Sequence, residues 1–70
     1  MNNIKERLVA LKLSQVWLLK ELRGRGVDVQ PPFLSSAVNG VYTFPKAIRV
    51  LNTCDEILKE VENGTNPRAN

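Results

Sequence analysis

At seventy residues the chain makes one small domain with a thin core, because a domain of this size buries only about 60 % of the surface its unfolded form exposes. It holds one cysteine and no histidine, which excludes a disulfide framework, a Cys/His zinc site and histidine acid–base chemistry within one chain, so the sequence reads as non-enzymatic and free of metal and cofactor. The formal charge of +3 is unevenly spread: residues 1–49 carry eight basic and three acidic side chains, residues 50–70 two basic and four acidic, which favours an anionic partner for the first two thirds.

In chain order, "NNIKERLVALKL" places Ile4, Leu8 and Leu11 at helical spacing, with Val9 widening the stripe, and Asn3 with Glu6 forms a capping-box-like pair for this first helix. Ser14 is a good N-cap ahead of "QVWLLKELR", a second helix with Val16, Leu18, Leu19 and Leu22 as its apolar set. The glycines of "RGRGVDV", residues 23–29, end it. Gln30 is a weak N-cap type, while Pro31 and Pro32 fit the first turn of a third helix, where their missing N–H groups would be unpaired in any case. "PPFLSSAVN" is therefore short and is stopped by Gly40. Pro45 can open a fourth helix. Ala47, Leu51, Cys54, Leu58 and Val61, broadened by Ile48, Val50 and Ile57, then keep one phase to Glu62. A Thr53–Glu56 pair leaves two short helices as the alternative to one long one. Asn63-Gly64 closes the helix, residues 1–63 form the domain, and 64–70 reads as a loose tail. No strand pattern is convincing, so the fold class is all-α: a compact bundle of four to five helices. The apolar runs are short and "MNNIKERL" is charged where a signal peptide needs its apolar core, which points to a cytoplasmic chain away from membranes.

A helix led by Ser-Gln, a turn, a short helix ending in Asn-Gly, then four residues and a proline opening the next helix: from Lys12 to Leu51 this order resembles the Cro and lambda-repressor-like helix-turn-helix family. The signals are "LSQVWLL" for the first helix of the motif and "LSSAVNGVYTFP" for the second and its exit. The resemblance implies a phage or mobile-element type of transcriptional regulator, in which the second helix of the motif lies in the major groove of double-stranded DNA. Carried over, Gln15 meets a phosphate. Pro31, Pro32, Phe33 and Ser36 fall where the family's base-reading side chains lie. Asn39, Tyr42 and Thr43 touch the phosphate backbone, and Lys46 and Arg49 add charge to that edge. Leu18, Leu22, Leu34, Ala37 and Ile48 should be core.

The chain departs from the pattern in three ways. Leu19 stands where the family keeps a small residue, and "RGRGVD" replaces a tight turn with a longer one carrying Arg23 and Arg25, either phosphate contacts or solvated. The reading face of prolines and phenylalanine offers no side-chain hydrogen bonds to bases, so it would depend on thymine methyls, Ser36 and DNA shape, unless Phe33 enters the core. Trp17, at a position usually polar in the family, is either a contact for a protein partner or extra core over the first helix or the long turn. Cys54 reads as a small buried hydrophobe, and residues 55, 56, 60 and 62 as a solvated acidic face. The wide apolar face of the last helix implies a homodimer through residues 50–62. A protein-binding module such as an antirepressor, gripping its partner through Trp17, Pro32 and Phe33, is the rival reading. An excisionase-like binder with "RGRGVDV" as a wing would need strands.

Overall fold

The computed structural model describes residues 3–64; the expected tail lies, beyond Gly64, outside the described residues. Four helices follow in chain order: α1 (Ile4–Ala10), α2 (Gln15–Gly24), α3 (Pro31–Val38) and α4 (Pro45–Glu62). There is no strand among the described residues, so the fold is an all-helical bundle with no winged element at 23–29. The last helix is continuous: Thr53 caps no second start, its Oγ1 donating instead to the Arg49 carbonyl at 3.1 Å. None of these helices is long and apolar enough to cross a membrane.

The helix starts follow local chemistry. Ser14 is extended and its Oγ accepts the Trp17 N–H at 3.1 Å, a side-chain cap for α2. Prolines open α3 and α4, where a missing N–H costs nothing. At the start of α1, however, Asn3 makes no side-chain cap bond, so the expected capping box is not formed.

The helix ends share one device. After α2, Gly26 has φ +83°, its N–H donates to the Arg23 carbonyl at 3.0 Å, and the next N–H, of Val27, reaches back to the Leu22 carbonyl at 2.9 Å. This is the Schellman arrangement, which uses a left-handed residue to satisfy the last carbonyls of a helix. After α3, Gly40 at φ +79° repeats it, with Gly40 N–H to Ala37 and Val41 N–H to Ser36. After α1 the left-handed residue is Lys12, φ 58°, with its N–H on the Val9 carbonyl at 3.1 Å and the Leu13 N–H on the Leu8 carbonyl at 2.8 Å.

The helix α4 touches the three others, and α2 also packs on α3. Its buried row, Ala47, Val50, Cys54 and Ile57, steps by three and four, with Leu58 four beyond Cys54, and so lies on one stripe. Against it lie Ile4 and Leu8 of α1, Leu18 and Leu22 of α2, Leu34 of α3 and Val29 of the turn. Leu18, Leu22, Leu34 and Ala37 are buried as expected, but Ile48 is 48 % exposed. It stands about 100° round the helix from Ala47, in the neighbouring row with Phe44 and Leu51. Val9 (73 %) and Val16 (61 %) are likewise outside the core. Leu19 packs half-buried against the core, so the bundle accommodates the larger side chain.

Two further expectations change. Of the apolar side chains in residues 50–62, the expected dimer seam, Val50, Cys54, Ile57 and Leu58 are buried within the monomer, while Leu51 and Val61 are half-buried. The acidic residues of α4 are also not simply solvated. Arg7 of α1 grips Glu62 through two hydrogen bonds of 2.9 and 3.0 Å and also pairs with Asp55, Lys59 lies 3.2 Å from Asp55, and Arg25 pairs with Glu60. Hydrogen bonds from Arg7 hold Asp55 and Glu62 below the usual carboxylate range, and that from Arg25 does the same for Glu60.

Candidate nucleic-acid interface

The exposed tip of α3 is built by its prolines. A residue before proline is driven to extended backbone, and Gln30 takes φ −77° and ψ 152°. Pro31 and Pro32 carry no N–H, so the first amide of the helix belongs to Phe33, and the Gln30 side chain makes no cap bond. Gln30, Pro31 and Pro32 are all exposed. The tip therefore shows two rigid apolar rings and one uncommitted amide.

Phe33 resolves between core and surface by being part of both. It is half-buried against the core, and its ring meets Tyr42 at 5.3 Å and Phe44 at 5.9 Å, centroid to centroid, while Tyr42 and Phe44 lie 5.1 Å apart. Edge-on and tilted geometry at these distances is favourable for aromatic pairs. Lys46 Nζ stands 5.3 Å from the Phe33 centroid, a cation–π contact that fixes the ammonium beside the α3 tip. Arg49 follows one turn later on α4. Neither Lys46 nor Arg49 forms an ion pair among the described residues.

At the other end of α3, about 12 Å along its axis, Asn39 is exposed, accepts from Lys5 Nζ at 3.3 Å and donates to Ser35 Oγ at 3.4 Å. The half-buried Ser36 holds the exit loop, its backbone carbonyl accepting the N–H groups of Val41 at 2.9 Å and Tyr42 at 3.3 Å. Thr43 is exposed in that loop, and Gln15 is half-buried at the first position of α2.

Phe33, Tyr42 and Lys46 thus gather behind Pro31 and Pro32 at the α3 tip, and Arg49 lies beside Lys46 along the cleft with residues 26–29. Arg25 does not join them. Its partner Glu60 lies eleven residues beyond Arg49, about 16 Å along α4, and the buried Glu21 of α2 adds to the negative field around it. The lengthened turn is therefore pinned rather than loose, and Arg25 has a structural partner. Arg23 is 3.8 Å from Asp28, with both side chains well exposed. Trp17 packs on the core rather than standing free for a partner, and its Nε1–H is buried without an acceptor among the described residues.

Compared with protein-family models, curated proteins and solved structures, the chain matches none.

Two residues of this surface escaped the sequence reading. Gln30 counted only as a weak cap, although the double proline after it removes the amides a cap would serve. Lys5 meets Asn39 across thirty-four positions, a proximity that exists only after folding. Chemically, the assembled face combines unpaired cations, an amide and aromatic faces.

Proposed function

We propose that this protein is a sequence-specific DNA-binding transcriptional regulator of the Cro/repressor kind, with α3 as the helix that enters the major groove, braced from behind by α2. The observation that carries the reading is the charge division along α4. Its second half consumes Arg7, Arg25 and Lys59 in ion pairs with Asp55, Glu60 and Glu62, while its first half leaves Lys46 and Arg49 unpaired beside the α3 tip. Unpaired cations flanking a protruding helix end are what phosphate contact requires. Lys5 with Asn39 would hold phosphates at the far end of α3. Gln30 would read a base edge, an amide being suited to adenine, and Pro31 and Pro32 would contact thymine methyls.

Regulators of this type gain by presenting two reading helices about 34 Å apart, so homodimerisation belongs to the proposal. The exposed apolar side chains that could serve it include Val41, Phe44 and Ile48, with Val9 and Val16 elsewhere on the surface, beside the half-buried Leu51 and Val61 of residues 50–62. The same exposed side chains favour a second reading, a protein-binding module of antirepressor type, since contiguous exposed apolar surface marks protein contacts.

Selection from a random duplex library at two salt concentrations, with sequencing of the bound fraction, separates the two. Enrichment of a palindromic site with affinity falling steeply as salt rises supports the regulator. Weak binding without an enriched sequence overturns it and turns attention to a partner protein.

A further inference from the structure

The lengthened turn and α4 enclose a groove that neither the α3 tip nor the resemblance accounts for. One wall is the turn, residues 26–28, the other is Lys46 and Arg49, and Val29 and Val50 contribute its apolar lining. Both walls are held in place. The turn is fixed by the Schellman bonds at Gly26, by the pairing of Arg25 with Glu60 and by burial of Val29; the opposite wall is a helix whose Lys46 is stacked on Phe33. That stacking makes the groove continuous with the α3 tip.

Its charge is lopsided. Lys46 and Arg49 stand one turn apart, rising about 4.5 Å along the axis, and Asp28 is the one carboxylate in the lining. The Asp28 side chain is 79 % exposed and faces Arg23, itself 68 % exposed, at 3.8 Å. A pair so well solvated contributes little to folding, so Asp28 has no strong structural employment.

We infer that this groove seats a stretch of one sugar-phosphate strand of duplex DNA, and that Asp28 weakens the hold by opposing the phosphates. The inference rests on the DNA-binding reading above. It assigns the departure from the short family turn a role: the extension supplies a second wall and an electrostatic brake on affinity.

The test is fluorescence anisotropy of the full chain and three variants on a duplex of about two helical turns, at about 50 mM and about 200 mM salt, with the corresponding single strand and inorganic phosphate as further probes. Asp28→Asn should bind the duplex about two- to threefold tighter at the lower salt, with the gain shrinking at the higher, as screening requires. Arg49→Gln should bind several-fold weaker, with a log–log salt slope shallower by about 0.9. Glu62→Gln makes the same charge change in a different groove at the far end of α4, beside Arg7 and Asp55, and should leave affinity nearly unchanged. If the wild type binds duplex but Asp28→Asn is no tighter, or Glu62→Gln gains as much, the groove is overturned and the reading of α3 stands. Equal affinity for the single strand, or competition by millimolar phosphate, overturns duplex seating in favour of an unspecific anion site. No binding of any duplex by the wild type overturns the reading and the groove together.

Discussion

Replacing Lys12 by glycine should stabilise the protein. Three described helices end with glycine at the left-handed position, Gly26, Gly40 and Gly64 at φ +83°, +79° and +73°, whereas α1 ends with Lys12 at φ 58°. For an L-residue that backbone costs roughly 1–2 kcal/mol. Glycine relieves it, but returns roughly 0.5–1 kcal/mol as extra entropy of the unfolded chain. The net gain is about 0.5–1 kcal/mol. In a domain of this size each kcal/mol moves the melting temperature by about 4–8 °C, so Lys12→Gly should melt about 2–8 °C higher, by circular dichroism, with an unchanged urea m-value. Lys12→Ala keeps the Cβ and removes the ammonium, and should be close to neutral. Gly40→Ala is the converse: the added methyl meets no atom within 4 Å, so its cost of about 1 kcal/mol is purely conformational. A Lys12→Gly protein that melts at or below the wild type, or a stabilised Lys12→Ala, would refute the backbone account and point to the ammonium instead.

Leu34 is fully buried where α3 meets the core, and Leu34→Ala should cost about 2–5 kcal/mol, a large share of the roughly 3.5–10 kcal/mol available to a chain of this length; a urea midpoint close to wild type would contradict the packing described. Burial pushes the Cys54 thiol up to about 12, so a disulfide reagent at pH 8 should label it only as fast as the protein opens, and prompt labelling would place it at the surface. Because the thiol's folded pKa is raised, the unfolded state loses its proton first, and stability should decline as pH rises above about 8.5. Asp55, Glu60 and Glu62 are held below their ordinary range by Arg7 and Arg25. The unfolded chain therefore binds more protons in acid, and stability should be full near neutrality and fall as pH drops through about 4. Arg7→Gln, read by urea unfolding against pH, should flatten that fall; an unchanged profile would mean the pairs with Asp55 and Glu62 are not maintained in solution.

Helix boundaries were legible because they are written in local chemistry. Ser14 caps α2 and prolines open α3 and α4, and glycines close α2, α3 and α4. The exceptions are places where local preference was overruled. Asn3 and Glu6 have capping-box identities but no bond forms, and Lys12 takes a glycine's role because the Leu8–Leu13 hydrogen bond and the burial of Leu8 hold the turn. The phase of α4 was harder to read, since Ala47 and Ile48 both suit an apolar stripe. The smaller residue is inside and the larger is out. Of the surface around α3, the sequence showed which residues were available but not how they are spent. Nothing local says that Arg25 belongs to Glu60, thirty-five positions away, or that Arg7 belongs to Glu62, fifty-five away.

That partition alters what the formal charge means. A value of +3 over the whole chain describes an ordinary soluble protein if charges are mixed. Here the acidic residues Asp55, Glu60 and Glu62 are committed to Arg7, Arg25 and Lys59 at one end of α4, so they do little to screen Lys46 and Arg49 at the other, more than a Debye length away at physiological salt. The field offered at the α3 tip is therefore stronger than the net charge implies. An approaching polyanion would be steered to that end, and the ion pairs that stiffen the α1–α4 contact are the same ones that keep the basic end distinct.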